Sequence, residues 1–427
     1  MSDHYILING IVTDGHSFLH ENCEIEIKGN KILRIGKSPE ISNDQVKKID
    51  LGGRLVLPGL LNPHHHLYSA LATGLAPVGP TNNFQQILEN LWWHLDKTLG
   101  EESIYYSAMN GLMQSARYGV TTIIDHHASM STVGGSLNII KKAFEEVGVK
   151  GVLCYEVSDR MGEASLQKQI DENINFWTEN QNSTNIQGLL GLHANFTLSE
   201  KTMKSIAKQK PEALAIHTHC GEDLADFQFC KDQGYEGPVH RLKEFGLLSQ
   251  DALLAHCIHL SEKDHEILRE IQPRIISNPE SNANNNVGQM DMHKISKYVL
   301  GTDGMTGNIL GTMRSHFLQR SGNIPNPLKV LFQYTAEMMN GYFPNTGELK
   351  VDGIADLAIT NYHPVTPISM ENLFYHLMFG VQGKEMHMTI SEGKIIFSDN
   401  KIHSVDEGQM NKEIAVAVKK LHEKYYA

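Results

Sequence analysis

Residues 55–66 read Leu-Val-Leu-Pro-Gly-Leu-Leu-Asn-Pro-His-His-His, and the chain runs on through Leu67 and Tyr68 to Gly74. An apolar run is punctuated by Pro58-Gly59 and then delivers three histidines to the point where a strand should end. In α/β barrels chemistry gathers where the strands stop and the loops begin. Side chains alternate along a strand, so His64 and His66 share a face and His65 takes the other, toward packing. The motif is weak alone. With 23 histidines in the chain, roughly one His-x-His pair is expected by chance, and His217-Thr218-His219 supplies a second. Its meaning depends on what stands at the other strand ends.

Working outward, the middle of the chain alternates between short apolar runs and helical periodicity. Strand candidates fall at 60–66, 121–126, 151–157, 188–193, 213–219, 252–257, 274–278 and 298–303. Helical stretches lie between most of them, at 84–97, 102–118, 136–147, 199–209 and 261–271 among others. Eight such strands are the number that closes a parallel (β/α)8 TIM barrel. The rival, an open doubly wound sheet, finds no Gly-x-Gly-x-x-Gly or Walker-type loop to favour it. Both ends of the chain read as β-rich instead. Tyr5–Ile8, Glu24–Ile27 and Ile32–Gly36 face Ala355–Thr360, Met386–Ile390 and Lys394–Phe397 across the sequence, with an amphipathic helix near 409–424. The expected architecture is therefore a barrel over 59–345, plus a small composite β-sandwich domain with a C-terminal helix built from 1–58 and 346–427.

Bulk properties narrow the function. At 427 residues, 41% hydrophobic and 20% charged, the chain has the composition of a globular protein. A net charge of −12 argues against a nucleic-acid or anionic-membrane surface. No run approaches the length needed to span a bilayer. Five scattered cysteines without a Cys-x-x-Cys read as reduced thiols. The first ten residues have neither the basic start nor the long apolar core of a signal peptide, so a cytoplasmic location is the expectation.

The strand ends then speak together. The first ends in His64 and His66, the fifth in His217, His219 and Glu222, the sixth in His256, and the eighth in Asp303. Imidazoles and a carboxylate converging from strands 1, 5 and 8 suit Zn²⁺ or Fe²⁺. Such an ion acidifies a bound water, and Glu222 and His256 have the chemistry for general acid/base work on it. Each residue has a plainer explanation. A strand-end histidine is commonly a hydrogen-bonded core residue, and Asp303 before a glycine suits a turn or a helix cap. Glu222 suits the first turn of a helix. Their joint placement is what structure alone explains poorly.

With these residues in view, the chain resembles the amidohydrolase superfamily, in the branch of triazine hydrolases and guanine, cytosine and methylthioadenosine deaminases. The matching motifs are Pro58-Gly59 before Asn62-Pro63-His64-His65-His66, then His219-Cys220-Gly221-Glu222, Ala255-His256-Cys257 and Gly301-Thr302-Asp303-Gly304. Gly353-Ile354-Ala355-Asp356 resembles that branch's return into its small β domain. Asn90-Leu91-Trp92-Trp93, Asp125-His126-His127-Ala128-Ser129 and Ser281-Asn282-Ala283-Asn284-Asn285 resemble signatures of the SsnA-type aminohydrolases within it.

The resemblance implies one divalent ion, Zn²⁺ first with Fe²⁺ as the alternative, held by His64, His66, His219 and Asp303. His217 is then near the ion but not on it. The fourth strand carries no lysine of the kind that binuclear relatives carboxylate, hence a single ion. Glu222 would carry a proton from water to a ring nitrogen, His256 would orient the attack, and Asp303 would protonate the departing amine. His193, His126 and His127 are the expected substrate contacts, with only one of the last pair able to face inward from a regular strand. Trp92 and Trp93 are read as packing. Relatives have a histidine before the Asn-Pro of strand 7 where this chain has Ser277-Asn278-Pro279, which leaves substrate contacts from that strand open. The implied reaction is hydrolytic deamination of an aminated heterocycle of purine, pterin or pyrimidine type. Ring-opening hydrolysis of a cyclic amide, dechlorination and a non-catalytic scaffold are the alternatives. The partner is thus a small heterocycle. Homo-oligomers are common among such barrels, and the sequence sets no number.

Overall fold

The apolar runs become a parallel sheet in the computed structural model, which describes residues 4–37 and 46–427. Its strands follow chain order around the barrel: Leu60–His65, Val120–His127, Lys150–Val157, Leu190–Leu192, Ile216–Cys220, Leu253–His256, Arg274–Ser277 and Val299–Leu300. Each pairs in parallel with the next. A short piece, Ile186–Gly188, precedes the fourth and pairs with the third. The first and last strands close the ring through a parallel bridge between His65 and Asp303. Thr302 N–H and Asp303 N–H both donate to the His64 carbonyl at 3.0 Å. The barrel therefore closes at the residues singled out for chemistry.

Local chemistry explains the elements. The helix Ser136–Val147 buries Leu137, Ile140, Ala143, Phe144 and Val147, a one-face 3.6-residue pattern, and ends at Gly148 with φ +84°. The helix Glu262–Ile271 is started by Ser261, whose side chain accepts from the Asp264 N–H. Two elements depart from expectation. The eighth strand is only Val299–Leu300, because Asp303 turns into the left-handed region with φ +54° and its bonds go across the seam. The stretch expected as one helix over 84–97 is interrupted at Leu88–Trp92, where the Trp93 N–H reaches back five residues to the Leu88 carbonyl.

The chain's two ends build a second sheet of nine strands, in which Leu55–Pro58 lies between His4–Thr13 and Leu357–Thr360. Residues from both ends, including Tyr5, Ile25, Ile27, Leu357, Ile359 and Met388, share one apolar core. The terminal helix, Glu407–Tyr425, lies against the barrel helix Glu101–Arg117, with Tyr106 donating to Glu413 at 3.1 Å. Buried Lys150, at the start of the third barrel strand, bonds Asp356 beside the second sheet and Thr346 Oγ1. Among the described residues, no helix is long and apolar enough to cross a membrane.

Candidate active site

His64, His66, His219 and Asp303 are all buried, and their ligand atoms lie within 4.8 Å of one another at the carboxyl ends of the strands. Partners on Nδ1 fix which nitrogen faces inward for two of the three imidazoles, His64 and His66. His66 Nδ1–H donates to the His126 carbonyl at 2.6 Å, leaving the Nε2 lone pair for the cluster. His64 Nδ1 lies 2.9 Å from His217 Nε2, so the spare histidine of the fifth strand stands behind a ligand rather than among them. His65, on the opposite face, bonds the Asp303 carbonyl at 2.8 Å and Thr302 Oγ1 at 2.9 Å, locking the seam. Gly301 is forced by space: a Cβ there would sit 2.7 Å from His64 Cβ and 2.6 Å from Asn278 Oδ1.

This donor set fits a divalent cation. His66 Nε2 and His219 Nε2 face each other at 3.1 Å, two acceptors in contact unless a positive charge lies between them. His64 Nε2 is buried with no well-aligned hydrogen bond, 3.2 Å from Asp303 Oδ1. Burial pulls His64 down to about 4. Burial acts on His66 the same way, yet the hydrogen bond and charge of Asp303 raise it to about 9. Asp303, pushed up by burial, is held well below the usual carboxylate range by the His64 and His66 imidazoles beside it. The site stabilises positive charge at this one point, and three nitrogens with one oxygen form a set that Zn²⁺ or Fe²⁺ accepts.

Glu222 and His256 stand beside the cluster. Burial, and then the negative charge of Asp303, push the Glu222 carboxyl well above its usual value, opposed in part by Asn285 Nδ2 at 3.3 Å from Oε1. His256 Nε2 is 3.5 Å from Glu222 Oε2 and 3.8 Å from Asp303 Oδ2. Its Nδ1 is held by Asn282 Oδ1 at 2.8 Å, and burial keeps the ring neutral by lowering its pKa. His256, Cys257 and Asp303 all adopt left-handed φ, of 74°, 50° and 54°. The region is uncommon for non-glycine residues, and three of them stand together here.

A cavity of about 60 Å³ opens onto these groups. His66, His193, His219, Glu222 and Asp303 line it. His193 is held by Thr197 Oγ1 at 2.9 Å. His126 and His127, expected at the substrate, do not line it. His126 Nε2 points back at the carbonyls of Leu192 and His217, and His127 Nε2 bonds Ser129 Oγ at 2.8 Å. Both rings are fully buried, and that of His126 lies beneath the cluster, 4.8 Å from the His219 ring.

Trp92 and Trp93 pack against Phe84 and Leu88, as expected, and with them also form the cavity wall. The five-residue turn at Leu88–Trp92 sits in that wall. Other residues escaped the sequence reading. Glu156, at the end of the third strand, lines the cavity, and burial raises its carboxyl to about 7. Arg160 bonds Glu156 Oε1 and Asp96 Oδ2, both at 2.6 Å. Glu156 stood at a strand end and was open to the same rule that found Asp303.

Comparison with known proteins agrees with this geometry. Residues 55–396 match the amidohydrolase family. The chain is 29% identical over 409 residues to the 5-methylthioadenosine/S-adenosylhomocysteine deaminase of Thermococcus sibiricus, covering 92% of this chain and 93% of that one. The triazine hydrolase of Arthrobacter aurescens has the same fold, with a TM-score of 0.82 over 98% of this chain and 100% of that one at 18% identity. So does an adenosine deaminase of Xanthomonas campestris, solved with bound zinc, with a TM-score of 0.82 over 98% of each chain at 14% identity. The chain belongs to the amidohydrolase family. It is a hydrolase acting on carbon–nitrogen bonds other than peptide bonds.

Proposed function

We propose that the protein hydrolytically deaminates an aminated heterocycle of purine, pterin or pyrimidine type, releasing ammonia, with Zn²⁺ as its ion and Fe²⁺ as the alternative. The observation that carries this reading is the placement of Glu222 in the cavity beside the four converging ligands, with His256 Nε2 3.5 Å from its Oε2. A divalent ion held by His64, His66, His219 and Asp303 supplies the Lewis acidity that makes water a nucleophile near neutral pH.

The chain's own groups divide the remaining work. Glu222 takes a proton from the attacking water and delivers it to a ring nitrogen, a task for which a carboxyl raised toward neutrality is suited. His256 Nε2 accepts a hydrogen bond from the same water and aims it, with Asn282 fixing the ring. Asp303 Oδ2, the oxygen not facing His64 and His66, passes a proton to the departing amine. Trp92, Trp93 and Phe84 offer aromatic faces on which a planar ring stacks. The deaminase name carried by the Thermococcus relative supports an adenine-type ring as the first substrate to try. The likeness to SsnA-type aminohydrolases is supported by its three segments, which supply Trp92, Asp125 and Asn282 around the site. The five cysteines are free and buried, which suits a reducing cytoplasm. The division at residues 58 and 346 between barrel and composite β domain is likewise our reading.

The test is an ammonia-release screen of purine nucleosides, pterins and pyrimidines with Zn²⁺-loaded protein. Ammonia with an intact ring is expected. Ring opening would replace deamination with cyclic-amide hydrolysis, and full activity in Glu222→Gln would remove the mechanism.

A further inference from the structure

The three imidazoles of the cluster are not held alike. His64 and His66 each have a partner on Nδ1, at 2.9 Å and 2.6 Å. His219 Nδ1 is buried with no hydrogen-bond partner. A ligating histidine nearly always gives its second ring N–H to a carboxylate, a carbonyl or a water, which fixes the tautomer and raises the ligand's basicity. Since His219 Nε2 faces His66 Nε2 at 3.1 Å, the proton of His219 belongs on Nδ1.

A carboxylate stands nearby. Glu156 is 3% exposed, and its oxygen, a His126 nitrogen and a His219 nitrogen lie within 4.8 Å of one another. Glu156 Oε1 is taken by Arg160, which leaves Oε2 facing this side, 3.7 Å from His126 Nδ1. His126 does not compete as a donor there. Its Nε2 meets only carbonyl oxygens, at 3.2 Å and 3.3 Å, so the proton sits on Nε2 and Nδ1 carries a lone pair. The N–H available to Glu156 is that of His219. Arg160 is itself fixed, by Asp96 Oδ2 at 2.6 Å and by the Trp93 ring 5.0 Å beneath its guanidinium.

We propose that Glu156 is a positioning residue for His219, accepting its Nδ1–H directly or through one water, with Arg160 and Asp96 holding Glu156 in place. The proposal rests on the reading of the cluster as an ion site. It links a ligand to the aromatic wall of the cavity, because Asp96 and Trp93 belong to the same helix, Trp93–Thr98. The competing role, a direct substrate contact, is open to Glu156 because it lines the cavity.

Glu156→Gln and Arg160→Gln in the full chain separate the two roles. The measurements are Zn²⁺ affinity by competition with a chromophoric chelator, the visible spectrum of the Co²⁺-loaded protein, and kcat and KM at saturating Zn²⁺. Glu156→Gln is expected to weaken Zn²⁺ binding about 10–100-fold, the usual effect of losing such a partner. It should also shift the Co²⁺ bands and lower kcat with KM little changed. Arg160→Gln should act in the same direction, less strongly. Unchanged affinity and spectrum with a raised KM would make Glu156 a substrate contact and overturn the proposal. Should Glu156→Gln not fold, Arg160→Gln decides on the same criteria. A wild-type chain that takes up no Zn²⁺ would overturn the functional reading, and this inference with it.

Discussion

The two ends of the barrel differ in what their buried polar groups meet, although unpaired buried hydroxyls, Thr121 and Thr122 Oγ1, stand at the amino-terminal end too. At the amino-terminal end, Lys150 is matched by Asp356 and by Thr346 Oγ1 at 2.6 Å. The second oxygen of Asp356 accepts the Glu392 N–H at 2.8 Å, and its carbonyl accepts the Gly59 N–H at 2.7 Å. At the carboxyl-terminal end, His64 Nε2, His126 Nδ1, His219 Nδ1, Asp96 Oδ1 and Asn278 Oδ1 are buried without partners. Each such atom costs about 1–3 kcal/mol, and left-handed φ at a non-glycine residue costs of order 1–3 kcal/mol more. The first end is arranged to hold two sheets together. The second converges on one point, where His64 Nε2 stays unpaired among the groups of the cluster.

Mutations at the two ends should therefore fail differently. Glu222→Gln is the largest expected effect, a loss of about 10²–10⁴-fold in kcat/KM, with the melting temperature unchanged or raised because a strained buried carboxyl is removed. Calorimetry and kinetics on one preparation check both halves. Asp356→Ala should do the reverse. It strands buried Lys150 and is expected to lower stability by about 3–5 kcal/mol, seen in urea unfolding, while folded protein keeps its Zn²⁺ affinity. Asn282→Ala lies between. Freed from its Nδ1 partner, His256 loses its aim, and kcat should fall about 10–100-fold, the equivalent of one lost buried hydrogen bond.

A pH series sharpens the contrast further. Asp303 raises His66 to about 9 against the pull of burial. Below that pH a proton occupies the nitrogen that an incoming ion needs. Apparent Zn²⁺ affinity should thus rise about tenfold per pH unit, for one displaced proton, and level off above about pH 9. Isothermal titration in buffers of different ionisation enthalpy counts the proton directly.

Much of this was legible in the sequence, and the boundary has a physical meaning. His64, His66, His217, His219 and Asp303 stand where apolar strands end, which periodicity and barrel topology locate, while the choice of His219 over His217 came from the family resemblance. The eight strand positions followed from the same periodicity. What stayed hidden depends on which neighbour a side chain meets. His126 and His127 sit at a strand end yet do not line the cavity, because the carbonyls of Leu192 and His217 and the Ser129 hydroxyl claim them. Trp92 and Trp93 carry a helical spacing that suggested packing, and the backbone change at Leu88–Trp92 lies outside any residue pattern. Asn282 and Asn285 read as a polar loop, and only the folded chain brings them to His256 and Glu222.

The account turns on an ion that activates water beside Glu222. Ammonia release from an aminated purine nucleoside, followed on one preparation before chelation, after chelation and after Zn²⁺ is restored, tests this most directly. The prediction is one ion per chain, activity lost on its removal and recovered on its return. Release of ammonia that is indifferent to chelation would contradict it.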